Sequence, residues 1–133
     1  MKQTNFPYPL QLLRVPGGWH ITVNTLFEVE PGPDTMQWFS SALLLWGHCR
    51  DSGYCFNSHF EPEDDPQGEF VLEMAKVEYD RHGKIVPGSD VFLGEFRTRS
   101  KAAFVERVEQ FMQRPGGLGL TACAAGSRPD RLV

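Results

Sequence analysis

Long apolar runs are missing from this 133-residue chain. The longest, Ala42-Leu43-Leu44-Leu45-Trp46, falls far short of the ~18–20 residues that a membrane-spanning helix needs, so it reads as strand or core. Cysteine is scarce as well. Cys49, Cys55 and Cys123 are odd in number and carry no disulfide-framework spacing, so reduced thiols are the simplest reading. The start, MKQTNFPYPLQLL, lacks a basic stretch followed by an apolar one, so no signal peptide is expected and a cytoplasmic protein is. A basic excess is absent too. Lys and Arg number 13 against 17 Asp and Glu, a net charge of −4, which argues against a molecule built to grip phosphate backbones. Neither nucleic acid nor membrane is expected as a partner. No stretch supplies a catalytic motif.

What the chain does have is strand patterning. In WHITVNTLFEVE, residues 19–30, Trp19, Ile21, Val23, Phe27 and Val29 fall at every second position, with Thr25 breaking the row. Strand side chains point to opposite faces in turn, so this predicts a half-buried strand. Pro16-Gly17-Gly18 turns the chain before it and Pro31-Gly32-Pro33 stops it. Leu10 to Val15 could be a short strand after an extended lead-in. Residues 36–46 are ambiguous between buried helix and buried strand; a short irregular piece and then a strand from about Leu43 to Cys49 is expected. Asp51-Ser52-Gly53 predicts a hairpin turn into Tyr54–Phe60. Glu69 to Tyr79 reads as a long strand with a bulge near Ala75-Lys76, because Val77 and Tyr79 are out of phase with Phe70, Leu72 and Met74. Asp80 to Asp90 reads as a loop and Val91 to Thr98 as another strand.

Ser100 then caps a helix over 101–113, on which Phe104, Val105, Val108, Phe111 and Met112 form one apolar stripe and Lys101, Glu106, Arg107, Glu109 and Gln110 lie mostly off it. Pro115-Gly116-Gly117 ends it. The chain is therefore expected to form a single α+β domain over 1–114, a twisted, mainly antiparallel sheet of about five strands with the C-terminal helix on one face. A flexible Gly/Ala-rich tail over 115–133 is expected to follow. The expected core is Trp19, Ile21, Val23, Phe27, Leu43, Leu45, Phe70, Leu72, Leu93, Phe104, Val108 and Phe111.

Three groups of side chains could carry chemistry. His48, Cys49, Cys55 and His59 could supply four zinc ligands, but five residues separate the cysteines where structural sites favour two to four. On a hairpin, moreover, His48 and Cys49 face opposite ways, and buried core thiols are the plainer account. A thiol nucleophile served by one of the histidines has no local signature behind it. Arg97 and Arg99 could form an anion site, yet ordinary strand-end charges explain them equally. The third group is acidic. Residues 61–80 carry Glu61, Glu63, Asp64, Asp65, Glu69, Glu73, Glu78 and Asp80 against Lys76 alone, without the order of a calcium loop. Such a run is either a solvated loop or an electrostatic handle for a basic partner.

The order of features resembles one family. The chain runs LLRVPGGWHITVNTLFEVEP, then an aromatic-rich hairpin arm, DDPQGEFVL, and an FRTRS junction into KAAFVERVEQFMQ. This is similar to the small cytoplasmic immunity proteins of bacterial polymorphic toxin systems, contact-dependent inhibition and Rhs-type toxins among them. The Gly-rich tail and the Cys/His hairpin depart from that pattern. The resemblance implies a non-catalytic protein, without cofactor, that binds and neutralises a cognate toxin domain, such as a nuclease with a basic cleft. It carries over no binding residue; the acidic run makes Glu61, Glu63, Asp64, Asp65 and Glu69 the expected partner-binding set. The alternatives are a zinc- or thiol-dependent small enzyme using Cys49, Cys55, His48 and His59, or a homo-oligomeric adaptor subunit.

Overall fold

The structure, a computed structural model, describes residues 7–115. The expected tail, apart from Pro115, lies outside those residues, as does Cys123. Five antiparallel strands follow one another in space as in sequence: β1 (Trp19–Asn24), β2 (Leu45–Cys49), β3 (Tyr54–Glu61), β4 (Glu69–Lys76) and β5 (Val91–Thr98). A 3-10 turn, Met36–Phe39, precedes β2, and one helix, α1 (Lys101–Gln113), follows β5. The α+β architecture expected from the sequence is the one observed.

Helix α1 begins where Ser100, in extended conformation, accepts the Ala103 amide on its hydroxyl at 3.0 Å. Its apolar stripe is too short to hold a helix alone in water and is buried on the sheet. Phe104 stacks on Phe70 of β4, ring centroids 4.9 Å apart and 15° from parallel. Phe111 meets Trp19, Tyr54 and Phe56 edge-on at 5.9, 6.1 and 6.3 Å. Phe39 of the 3-10 turn packs on Phe60 and Phe70 of the same face. Each such ring contributes roughly 1.5–3 kcal/mol by burial alone. Both helical elements therefore cover one side of the sheet.

Several expectations need correction. The first strand stops at Asn24, not at Glu30: the Asn24 side-chain oxygen takes the Leu26 amide, and Leu26, fully buried, replaces Phe27 in the core. A bulge between Ile21 and Val23 has already shifted the alternation. Ile21, Val23, Phe27, Leu43 and Leu93 are only half-buried, while Met36, Phe39, Leu44, Phe56, Phe60, Met74 and Met112 join the core. Leu10 pairs with Phe27 in a single bridge, and Gln11 N donates to Leu26 O, so the lead-in straps the 25–30 segment. Lys101 and Arg107 are buried rather than off the stripe; Lys101 donates to Gln11 of the strap, and Glu109 takes the Arg14 amide. The bulge expected near Ala75 exists, but the extra residue, Leu93, sits on β5.

The hairpins explain the register. Gly53 turns β2 into β3 at φ +84°, and a Cβ there would stand 2.2 Å from the Val77 carbonyl that runs past it. Ser58, fully buried on the core face, takes the Leu45 amide at 3.0 Å and donates to the Leu45 carbonyl at 3.1 Å. It acts as a ladder bond at the place where β2 leaves β3. Ser58→Ala takes the hydroxyl from both the Leu45 amide and the Leu45 carbonyl in a dry site and is expected to cost about 1–3 kcal/mol in urea unfolding. An Ala variant as stable as the parent would contradict this account of the junction.

Candidate functional site

Because α1 and the 3-10 turn occupy one face, the other face carries the residues that alternate with the core. The pairing places them in ranks across the strands. One rank is His20, His48, Cys55, Ala75 and Phe92; the next is Val23, Trp46, Asn57, Glu73 and Glu95; then His59, Val71 and Arg97; and finally Glu61 opposite Glu69.

The expected partner-binding residues fall together at one end of this face. Glu61 closes β3, Glu69 opens β4, and Glu63, Asp64 and Asp65 occupy the connection between them. Glu63 and Asp64 are exposed. Asp65 turns its carboxylate inward to take the Gln67 amide at 2.8 Å. Glu61 and Glu69 are not bare charges. Arg97, on β5, reaches over β4 to Glu61 Oε2 at 2.7 Å, passes Glu69 Oε1 at 3.4 Å, and holds Glu95 Oε2 through its Nε at 2.6 Å. His59 lies 2.7 Å from the other Glu61 oxygen. Arg97 is thus committed to three carboxylates and is unsuited to binding an external anion, even though it lines a recess of about 540 Å³ with Arg99, Pro62 and Gln67.

This network has a packing role. Val71 is fully buried although it faces away from the core. Its cross-strand neighbours are His59 and Arg97, and the Arg97 stem must cross above it to reach β3. The hydrogen bond from His59, then that from Arg97, holds the Glu61 carboxyl below its usual range. Hydrogen bonds to Glu95 and Glu61 keep Arg97 more firmly protonated still.

The Cys/His group does not assemble. Cys49 is buried on the core face, opposite Trp19, while His48 pairs with Cys55 on the open face and His59 lies two ranks further along. Among the described residues no three His, Cys, Asp or Glu side chains gather closely enough to hold a metal ion. Burial, then the nearby Asp90 charge, pushes the Cys55 thiol up, the reverse of an activated nucleophile. His48 is pushed down, by burial first and then by His20, whose ring centre is 5.8 Å away, and by Arg50.

Sequence reasoning missed Trp46, Asn57, Glu73 and Glu95 as one surface. The signal was the period of two: Glu69, Glu73 and Glu95 alternate with buried Phe70, Leu72 and Met74 or with Gly94 and Phe96. Arg97 shares that phase, but that it reaches Glu61 depends on strand order. Compared with known proteins, the chain matches no family model, no curated protein and no solved structure. Among the described residues no helix is long and apolar enough to cross a membrane.

Two outcomes are expected. Arg97→Ala uncovers Val71 and leaves Glu61, Glu69 and Glu95 without their shared cation, a loss of about 1–2 kcal/mol in urea unfolding. Arg97→Met, which keeps an apolar cover, loses less. An Ala variant equal to the parent would contradict the strap. For His48, an NMR titration is expected to place the imidazole below the ordinary histidine value of about 6.5, with His20→Gln moving it back up. Because the folded value lies below the unfolded one, this group destabilises the fold as pH falls through the unfolded value, and the penalty is constant below the folded value. Glu61 acts in the same direction: its contribution is present above the unfolded carboxylate value and is lost as pH falls through the folded one.

Proposed function

We propose that this chain is a non-catalytic binding protein, an immunity protein that docks on a cognate toxin domain and blocks it. The observation that carries the reading is the charge at the end of the β3–β4 hairpin. Five carboxylates gather between Glu61 and Glu69, Arg97 engages the two at the strand ends, and Glu63 and Asp64 project from the tip. A projecting negative tip on a rigid hairpin steers encounter with a basic cleft and sets orientation before close contact forms. A nuclease active site, which must attract phosphate, has a cleft of that sign. The resemblance in sequence order points to the same class of partner, and the net charge of −4 agrees with it.

The test uses the toxin domain encoded directly upstream, with binding followed in real time. Glu63→Lys/Asp64→Lys/Asp65→Lys is expected to slow association by about tenfold with a smaller change in dissociation. The difference should shrink at high salt. Since Asp65 also holds the Gln67 amide, Glu63→Lys/Asp64→Asn serves as the control that leaves the turn intact and should show most of the loss. Unchanged association in both variants would contradict the role of the tip, and absence of any complex would contradict the function.

A further inference from the structure

The centre of the open face has a feature that the tip does not explain. Glu73 and Glu95 are direct cross-strand partners, and like charges so placed repel. Glu95 is engaged by Arg97. Glu73 has no ion-pair partner among the described residues. The same rank holds Trp46, two strands away and itself paired with Val23 of β1, and its indole is 43% exposed. Asn57 lies between them. With strands about 4.8 Å apart, Trp46 and Glu73 stand about 10 Å from one another. One extended arginine side chain bridges that span, its stem and guanidinium plane over the indole and its fork at the carboxylate.

We infer that the rank Trp46–Asn57–Glu73–Glu95 is a docking site for an arginine side chain presented by a basic partner protein. The inference rests on the reading of this chain as a binding protein and names the chemistry of its partner. A guanidinium satisfies every element of the rank: it is attracted by the unpaired carboxylate, stacks on the aromatic face, and offers further N–H groups to the Asn57 amide oxygen. Lysine supplies the charge but neither the plane nor the fork. Phosphate is repelled by the two carboxylates. A second copy of this chain would bring the same acidic face against itself. Arg97 already offsets Glu95, so the carboxylate of this rank that lacks an ion-pair partner among the described residues is Glu73, and a bound cation supplies one.

The test is an NMR titration of the uniformly 15N-labelled chain with three blocked pentapeptides of alternating glycine, carrying three arginines, three lysines or three glutamates. The arginine peptide is expected to move the Trp46 indole N–H and the amides of Asn57, Glu73 and Glu95, the lysine peptide to move them less, and the glutamate peptide to leave them in place. Glu73→Gln and Trp46→Ala should each weaken arginine-peptide binding about tenfold. Glu63→Lys/Asp64→Asn should leave the Trp46 shift intact, which separates this site from the toxin-steering tip. Shifts at Trp46 in a chain that binds no toxin would uphold the arginine site and remove only the toxin assignment. Shifts centred on 61–69, equal response to lysine, or no response to Glu73→Gln would overturn the inference.

Discussion

Among the described residues a five-stranded sheet carries one α-helix, which dries one of its faces. That constraint governs the molecule. The stack of Phe104 on Phe70 and the set of Phe111 against Trp19, Tyr54 and Phe56 fasten α1 to the sheet. The 3-10 turn adds Phe39 to the same side. Every strand must then alternate between a residue for this layer and a residue for water, and β3 does so along its whole length: Phe56, Ser58 and Phe60 inward, Cys55, Asn57, His59 and Glu61 outward. An antiparallel meander tolerates this one-sided arrangement because its hydrogen bonds lie in the plane and its polar face can stay wet.

The wet face is organised in two different ways. Towards the 61–69 end it is tied down. Arg97 crosses β4, satisfies carboxylates on three strands and roofs Val71, so charge there serves cohesion as well as solubility. Single exposed ion pairs are worth little, but a shared guanidinium with an apolar stem packed on a valine combines electrostatics with burial. At the centre Glu73 faces Glu95, which Arg97 engages, and an exposed indole lies in the same rank. The rank His59, Val71 and Arg97 separates the two regions, so the tip and the centre are distinct acidic patches on one side of the sheet.

Much of the fold was legible because its signals were local. Ser100 followed by a stripe from Phe104 to Met112 defined α1 to the residue, and Asp51-Ser52-Gly53 marked the β2–β3 turn. Where the sequence misled, tertiary contacts had overridden periodicity. Phe27 and Val29 continue the alternation of β1, but Asn24 caps the Leu26 amide and the chain leaves the sheet there, handing the core position to Leu26. Lys101 and Arg107 look like solvent-facing helix residues; the lead-in strap, distant in sequence, covers Lys101 and supplies its Gln11 partner. The acidic tip was legible as a run of charge. The central rank was not, since Trp46, Asn57, Glu73 and Glu95 come from four strands and meet only through register.

The proposed docking uses the open side of the sheet and not the helix side. Hydrogen–deuterium exchange on the complex with the toxin domain that the proposal requires tests this most directly, because it reads protection along the whole chain at once. Protection is predicted over the 61–69 connection and along β2 to β5 around Trp46, Asn57, Glu73 and Glu95, with α1 and the lead-in strap unchanged. Protection confined to α1 and the strap, with the open face exchanging as in the free protein, would contradict it.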